Sequence, residues 1–191
     1  MNGTDLNIDH DLEKLILLAQ QGDKQAFRSL VEKYQKFVFA VAFKILLNDE
    51  DARDTAQDAF IKLWQHISEY KFQAKFTTWF YKIIINLCLD KLRVRKRRNA
   101  FFTNSIDENT FNVLLSGNSD DYSNKELMEI IIKLTGKLSP KQKIVFVMRD
   151  LNGFGIGEIS QTINMPENSV KVNLLYARKK IKKYLTNIYK W

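Results

Sequence analysis

Apolar residues recur every three or four positions along most of the chain, the spacing that places them on one side of an α-helix. The pattern predicts a short helix over 12–21 that ends at Gly22, and a long helix that begins after Asp23 and ends at Asn48. A third helix, rich in acidic residues at its start, covers 49–67. The chain has only seven Gly and two Pro. Few breakers and sustained helical spacing predict an all-α fold.

An aromatic-rich segment leads from a predicted loop into a fourth helix, which Thr77 is expected to cap. At 100° per residue Phe76 and Phe80 fall on one side of this helix, which is typical of a core. Another side carries the aromatic ring of Tyr81, the amide of Asn86 and the cations Lys82 and Arg93. The helix ends in a basic cluster formed by Arg93, Arg95, Lys96, Arg97 and Arg98. Such a surface can stack unpaired bases and clamp phosphates, whereas the plainer interpretation is core aromatics beside solvated charges.

Residues 99–124 are rich in Asn, Ser and Asp and show no sustained period, so they are interpreted as a flexible linker. The chain is therefore expected to form two helical domains, 1–98 and 125–191. In the second domain, Ser139 followed by Pro140 and Gln142 is a capping-box arrangement. A short helix around 156–163, a turn and a basic final helix from Ser169 follow, in the order of a helix-turn-helix.

The final helix has a buried side and an exposed side. Val170, Leu174, Ala177 and Ile181 lie close to one line and are expected to be buried. The opposite side carries an exposed strip formed by Val172, Leu175 and Tyr176. Cations surround this strip: Lys171, Arg178, Lys179, Lys182 and Lys183. In a DNA major groove the cations would neutralise phosphates while the strip touched thymine methyl groups. The alternative is that the strip packs on another domain of an ordinary bundle.

The net charge of +8 is distributed unevenly. Residues 71–99 hold nine basic and one acidic side chains and residues 126–191 hold twelve and five, whereas residues 1–70 are net acidic. Two basic poles favour a polyanionic partner such as DNA. One Cys and two distant His exclude a disulfide framework and a zinc site with the usual ligand spacing. With neither a leader nor a membrane-spanning run, a cytoplasmic protein without a cofactor is expected.

Together these features resemble the extracytoplasmic-function sigma factors, the compact two-domain class of bacterial transcription initiation subunits. Residues 51–64, DARDTAQDAFIKLW, are similar to the family's D-A-x-D-x-x-Q-[DE]-x-F-x-x-x-W helix in region 2. The resemblance implies that core RNA polymerase is bound by Asp51, Asp54, Gln57, Asp58, Phe60 and Trp64. The segment from Lys75 to Arg93 is similar to the family's F-x-T-W-L-x-x-I-x-x-N-x-x-x-D-x-x-R signature. It implies that the opened proximal promoter element is held by Lys75, Phe76, Thr77, Trp79, Tyr81, Lys82, Asn86, Arg93, Arg95, Arg97 and Arg98.

The second domain resembles sigma region 4 over 138–146, 158–171 and 177–178. The resemblance implies that the distal promoter element is read by Asn168, Ser169, Lys171, Val172, Leu175, Tyr176, Arg178 and Lys179. Three positions depart from many members of the family. Gly155 stands where Ser or Thr is common, and Asn173 and Tyr176 stand where Arg is common, so the preferred distal element is expected to differ. Regulation by an anti-sigma protein is implied by analogy.

Three other functions are alternatives to an initiation factor without catalytic activity. A metal-dependent nuclease would need carboxylates that converge, but those at the start of the third helix lie on one surface helix. A free-standing regulator would use its helix-turn-helix on duplex DNA without polymerase, and its first domain would sense a ligand. A helical interaction module would show no salt-dependent DNA binding. The order of the two signatures favours the initiation factor.

Overall fold

The computed structural model describes residues 3–99 and 122–189, with side chains described for 10–95, 97 and 128–186. Within these ranges the chain is helical and contains no strand. The all-α prediction is therefore confirmed. The first domain consists of four helices, α1 (Gly3–Gln20), α2 (Lys24–Leu46), α3 (Asp49–His66) and α4 (Phe76–Asn99), with a 3₁₀ turn at Ile67–Glu69.

The second domain is also built from four helices in its described part. They are α5 (Tyr122–Thr135), α6 (Pro140–Phe146), α7 (Ile156–Ile163) and α8 (Glu167–Tyr189), and a π-helical turn at Val147–Leu151 continues α6. Helices α7 and α8 are the predicted helix-turn-helix. Helix α5 begins three residues inside the segment predicted as a linker, while residues 100–121 of that segment lie outside the described residues.

Side-chain caps fix the helix starts that the sequence predicted. The Asp23 carboxylate accepts hydrogen bonds from the backbone N–H groups of Gln25 (2.8 Å) and Ala26 (3.1 Å) at the start of α2. Ser139 and Gln142 form a reciprocal capping box at α6, with distances of 3.4 and 3.3 Å. These bonds satisfy N–H groups that have no partner inside their own helix.

Three predicted helix boundaries were wrong. Helix α4 begins at Phe76, and the Trp79 N–H donates to the Lys75 carbonyl at 3.1 Å, so Thr77 lies within the first turn instead of capping it. Helix α8 begins two residues before Ser169, because the Val170 N–H already bonds to the Pro166 carbonyl. Helix α1 extends back to Gly3 through a polar stretch where apolar spacing gives no signal.

The first domain has a core between α2, α3 and α4 in which helices approach over small residues. Ala42, Ala52 and Ala59 are completely buried, and larger side chains fill the space around them. Helix α1 closes one end of this bundle: the Gln20 amide donates to the carbonyls of Ile67 (2.9 Å) and Tyr70 (2.8 Å). These bonds fix the beginning of the loop that leads into α4.

The two domains pack against each other. A separate small core within the second domain comprises Leu134, Leu138, Phe146, Ala177 and Ile181. The core of the first domain continues without interruption into side chains of α6 and α7, among them Val145, Met148 and Ile159. Helices α6 and α7 accordingly lie against α4, the helix predicted to hold DNA. No helix in the described ranges is long and apolar enough to cross a membrane.

Candidate polymerase and nucleic-acid surfaces

The exposed side of α3 combines acidic, amide and apolar groups. Asp54, Gln57 and Asp58 are exposed there. Ile61 (55% exposed) and Trp64 (38% exposed) continue the same side of the helix, and the Trp64 ring packs edge-on against Phe27 at 4.7 Å. Ile61 was not among the residues predicted to form this site. The signal in the sequence was an apolar residue off the buried stripe, one helical turn after Gln57 and Asp58.

Asp51 and Phe60, two of the six residues predicted to bind polymerase, are half-buried and contact other residues of the first domain. The Asp51 carboxylate pairs with Arg95 at 2.9 Å and with Lys91 at 3.4 Å, and Lys91 also reaches Asp54 at 3.3 Å. Asp51 therefore ties the start of α3 to α4, while Asp54 remains exposed. Phe60 is half-buried with its ring 5.5 Å from that of Phe80.

The loop before α4 contains aromatic rings that contact one another and the start of α4 at tilted angles. The Tyr70 hydroxyl donates to the Ala74 carbonyl at 2.6 Å, and the Tyr70 ring lies 4.8 Å from Phe72 and 5.4 Å from Trp79. Phe72 adopts a left-handed backbone conformation (φ 57°), which is uncommon for a residue other than glycine. Lys75 is exposed, Thr77 and Trp79 are half-buried, and Phe76 is buried. This loop, the first turn of α4 and the part of α1 from Leu12 to Ile16 line an open pocket of about 500 Å³.

Helix α4 presents its predicted DNA-binding residues unequally. Lys82, Asn86 and Arg93 are exposed, and Arg93 pairs with Asp90 at 2.9 Å. Tyr81, expected on the same open side, is completely buried, and burial raises its pKa well above the usual value. The ring lies between Phe37 of α2 (6.1 Å) and Phe154 of the second domain (4.5 Å). The expectation that Tyr81 is open was wrong because it considered α4 alone.

Among the described side chains at the basic end of α4, Arg95 is bonded to other residues of the first domain and Arg97 is exposed. Arg95 donates to the carbonyl of Leu46, the last residue of α2, at 2.9 Å, and pairs with Asp51. Arg97 is exposed, whereas the side chain of Arg98 lies outside the described residues. Arg95 thus holds two helix ends together, a role that a count of basic residues does not reveal.

Helix α8 has the two sides that its sequence predicted. Val170, Leu174, Ala177 and Ile181 are buried. Val172, Leu175 and Tyr176 are each about half exposed, with the exposed cation Lys179 beside them. Lys171 faces Glu167 at 3.8 Å. Arg178 forms a two-bond pair with Asp150 of the π-helical turn, at 2.6 and 3.0 Å, and this hydrogen bonding raises the Arg178 pKa.

Comparison with known proteins assigns these two domains. The Sigma-70 region 2 family matches residues 30–98, and the Sigma-70 region 4 family matches residues 128–181. The ECF RNA polymerase sigma factor SigW of Bacillus subtilis is 26% identical over 185 residues, covering 93% of this chain and 98% of that protein. The ECF RNA polymerase sigma-E factor of Haemophilus influenzae is 26% identical, covering 88% and 92%. The chain belongs to the extracytoplasmic-function sigma factors.

Solved structures show the same fold. CnrH in complex with the cytosolic domain of CnrY has a TM-score of 0.59 at 19% identity, with coverage of 93% of this sigma factor and 98% of that chain. RpoE in complex with the anti-sigma factor NepR from Bartonella quintana has a TM-score of 0.66 at 18% identity, with coverage of 84% and 96%. Region 2 of this sigma factor thus contains the α3 and α4 surfaces, and region 4 contains α8.

The helix-turn-helix of this sigma factor carries the departures noted in its sequence. Gly155 precedes α7, and its N–H donates to the Glu158 carboxylate at 2.7 Å. This is one of the two bonds of a capping box; the other bond needs a side-chain acceptor, which glycine lacks. The Asn173 amide donates to the Ser169 carbonyl at 2.8 Å and lies 3.8 Å from the Met165 sulfur. Asn173 therefore braces the turn instead of facing outward. Asn168 is exposed and Ser169 is half-buried at the start of α8.

Proposed function

We propose that this sigma factor binds core RNA polymerase through α3, holds the opened proximal promoter element on α4 and its preceding loop, and reads the distal element with α8. It acts in the cytoplasm by binding alone and catalyses no reaction. One observation carries the proposal: a single chain presents an acidic and apolar α3 surface and two separate cationic helices, in the order of sigma regions 2 and 4.

The α3 surface suits a protein partner better than a nucleic acid. Carboxylates at Asp54 and Asp58 repel phosphates but complement a basic protein surface. Ile61 and Trp64 supply the exposed apolar area that commonly anchors an interface, and the Phe27 contact holds the Trp64 ring in place. Anchors that are fixed before binding lose little conformational freedom on association.

The α4 surface suits an unpaired strand. Lys82 and Arg93 can neutralise phosphates, Asn86 can hydrogen-bond to base edges, and the aromatic loop before the helix offers rings for stacking. The Tyr70 ring contacts both Phe72 in that loop (4.8 Å) and Trp79 in the first turn of α4 (5.4 Å), so the three rings are connected. Stacking tolerates any base, and hydrogen bonds then add preference.

The α8 surface suits duplex DNA. Val172, Leu175 and Tyr176 can contact base edges in a major groove, while Lys179 and its cationic neighbours contact phosphates. The Asp150 pair fixes the direction of the Arg178 guanidinium. Because Asn173 is turned toward the preceding turn, Tyr176 carries more of the direct readout here than in members with arginine at these positions.

Control by a protein partner is part of this proposal. Both structural relatives named above were solved in complex with another protein, and for RpoE that protein is an anti-sigma factor. An anti-sigma partner of this chain would act by covering the α3 or α4 surface. A free-standing regulator is the alternative function, and it differs in binding its DNA targets without polymerase.

Direct binding to polymerase tests the α3 assignment. The change is Ile61→Glu, which places a charge in the exposed apolar area without disturbing the core. We expect fluorescence anisotropy with purified core RNA polymerase to show about tenfold weaker binding or more. Met128→Glu is the matched control, because Met128 is an exposed apolar residue of the second domain. Equal affinities of Ile61→Glu and the unmodified protein would remove α3 from the interface.

A further inference from the structure

The π-helical turn at Val147–Leu151 presents a carboxylate to the DNA-reading helix. Asp150 of this turn accepts two hydrogen bonds from the Arg178 guanidinium of α8, one from Nη2 at 2.6 Å and one from Nε at 3.0 Å. Paired bonds of this kind fix both the plane and the direction of a guanidinium. They connect residues 28 positions apart, so the pair joins the chain before α7 to the middle of α8.

The chain that carries Asp150 is itself held by hydrogen bonds. The Arg149 guanidinium donates to the carbonyl of Phe154 at 2.8 Å, and the Asn152 amide donates to the carbonyl of Val147 at 2.8 Å. Because these bonds close the chain on both sides of Asp150, its carboxylate has a fixed position. Single π-helical turns often occur at functional sites, where they redirect a side chain that a regular helix would place elsewhere.

Arg178 lies at the border between the buried and the exposed side of α8. It follows the buried Ala177 by one residue and Lys171 by seven, which is nearly two turns, so Arg178 and Lys171 share one line along the helix. Leu175, which is assigned to base contacts, lies between them on that line. A cation beside such a surface is placed to contact a phosphate, and phosphate contacts determine how a helix lies in the groove.

Asp150 leaves part of the Arg178 guanidinium free for a second anion. A guanidinium offers parallel N–H donors along its side edge, from Nε and one terminal nitrogen, and along its end edge, from the two terminal nitrogens. Asp150 occupies the side edge. The end edge remains for two oxygens of a phosphate, the geometry that arginine binds best. The Arg178 side chain is 55% exposed, so a ligand can reach it.

We propose that Asp150 is a positioning residue for promoter recognition, which aims the free edge of the Arg178 guanidinium at a phosphate of the distal element and so sets how α8 lies in the groove. The inference rests on the proposed role of α8 in reading duplex DNA. A carboxylate beside DNA by itself repels phosphates. Asp150 nevertheless favours binding, because an arginine already held in the bound direction loses less conformational freedom on association.

Charge and position predict opposite effects, so substitutions can separate them. Asp150→Asn keeps the shape of the side chain and makes the domain more positive by one unit. Glu167→Gln is the matched control, because it makes the same change in charge at another carboxylate that pairs with a cation of α8. The Glu167 pair with Lys171, at 3.8 Å, lies within one helix and does not join α8 to the π-helical turn.

The test measures the affinity of core RNA polymerase carrying the full-length protein for a promoter duplex that it transcribes selectively, over a series of salt concentrations. We expect Asp150→Asn to weaken binding about tenfold and to lower the slope of log affinity against log salt by about one, because one phosphate contact is lost. Arg178→Met should lower the slope equally. Glu167→Gln should bind as tightly as the unmodified protein or more tightly, with no lower slope.

Two results would overturn the proposal. If Asp150→Asn behaves as Glu167→Gln does, Asp150 acts only through its charge. If Asp150→Asn weakens binding without changing the slope, it stabilises the fold and does not position a phosphate contact. In either case weaker binding by Lys179→Ala would leave the proposed role of α8 intact. If Lys179→Ala also has no effect, α8 does not contact DNA, and the proposed role of α8 fails together with this inference.

Discussion

Lys143 shows how one residue can have a role that its sequence position does not suggest. It lies in the second turn of α6 next to a secure capping box, where a solvated lysine would be ordinary. The structure buries it, and desolvation lowers its pKa to about 8, with a smaller contribution from Arg95. Its surroundings are supplied by α4, a helix about fifty positions away in the chain.

This burial predicts how stability depends on pH. Because the folded pKa of Lys143 is below its unfolded value, the unfolded state binds more protons above about pH 8. The free energy of unfolding should therefore rise between about pH 7 and about pH 9. At higher pH the raised pKa values of Cys88 and Tyr81 act in the opposite direction, since the unfolded thiol and phenol ionise first.

Lys143→Met removes the buried charge and keeps an unbranched side chain only one atom shorter. At pH 7 we expect the variant to be more stable by about 1 to 3 kcal/mol, measured by urea denaturation. Its stability should no longer rise between about pH 7 and about pH 9. A less stable variant that retains the pH dependence of the unmodified protein would show that Lys143 is solvated.

Residue exposure was predictable where a single helix determines it. The buried and exposed sides of α8 agree with the predictions for Val170, Leu174, Val172 and Tyr176. The caps at Asp23 and Ser139 are local, and both were predicted correctly. Tyr81 could not be predicted, because its burial depends on Phe154 in another domain.

Helices contact each other at their ends as well as along their sides, and Arg95 is an example. The carbonyl groups in the last turn of a helix have no partner within it. The Arg95 guanidinium of α4 donates a hydrogen bond to the carbonyl of Leu46 at the end of α2. It also pairs with Asp51 in the first turn of α3. Three helices of region 2 are thus joined by one guanidinium that the sequence had grouped with the DNA-binding cluster.

Arg95 and Arg97 form a matched pair for testing that distinction. Arg95→Met should lower the free energy of unfolding by about 1 to 2 kcal/mol, because it removes the side-chain donor to the Leu46 carbonyl and one of the two cations paired with Asp51. Arg97→Met should change it by less than about 0.5 kcal/mol, since Arg97 is exposed. Urea denaturation measures both values. Equal destabilisation by the two substitutions would contradict the structural role of Arg95.

Helix order and type followed from apolar spacing, and helix ends were less predictable. Thr77 resembled a cap, but the chain becomes helical one residue earlier at Phe76, where the aromatic loop packs against α4. The sequence also gave no indication of the π-helical turn. That turn carries Asp150, the partner of Arg178, and is followed by Asn152.

At the scale of the whole molecule, the two domains and their family were predictable but their packing was not. The two signatures resembled sigma regions 2 and 4, and the family comparisons confirm both regions. Periodicity reports only which side of a helix is buried, not which helix covers it. The apolar stripe of α4 therefore carried no sign that part of it faces the second domain.

Promoter selection is a property of the whole protein with its polymerase. Run-off transcription from a library of upstream DNA sequences, with purified core RNA polymerase, measures it directly. We expect selective transcripts only when this protein is present. Tyr176→Ala should change which distal sequences are selected, whereas Lys179→Ala should lower transcription from all of them.

One outcome of this measurement would contradict the assignment as an initiation factor. If no transcript depends on the protein, while the protein alone binds duplex DNA with sequence preference, it is a free-standing helix-turn-helix regulator and not an initiation factor.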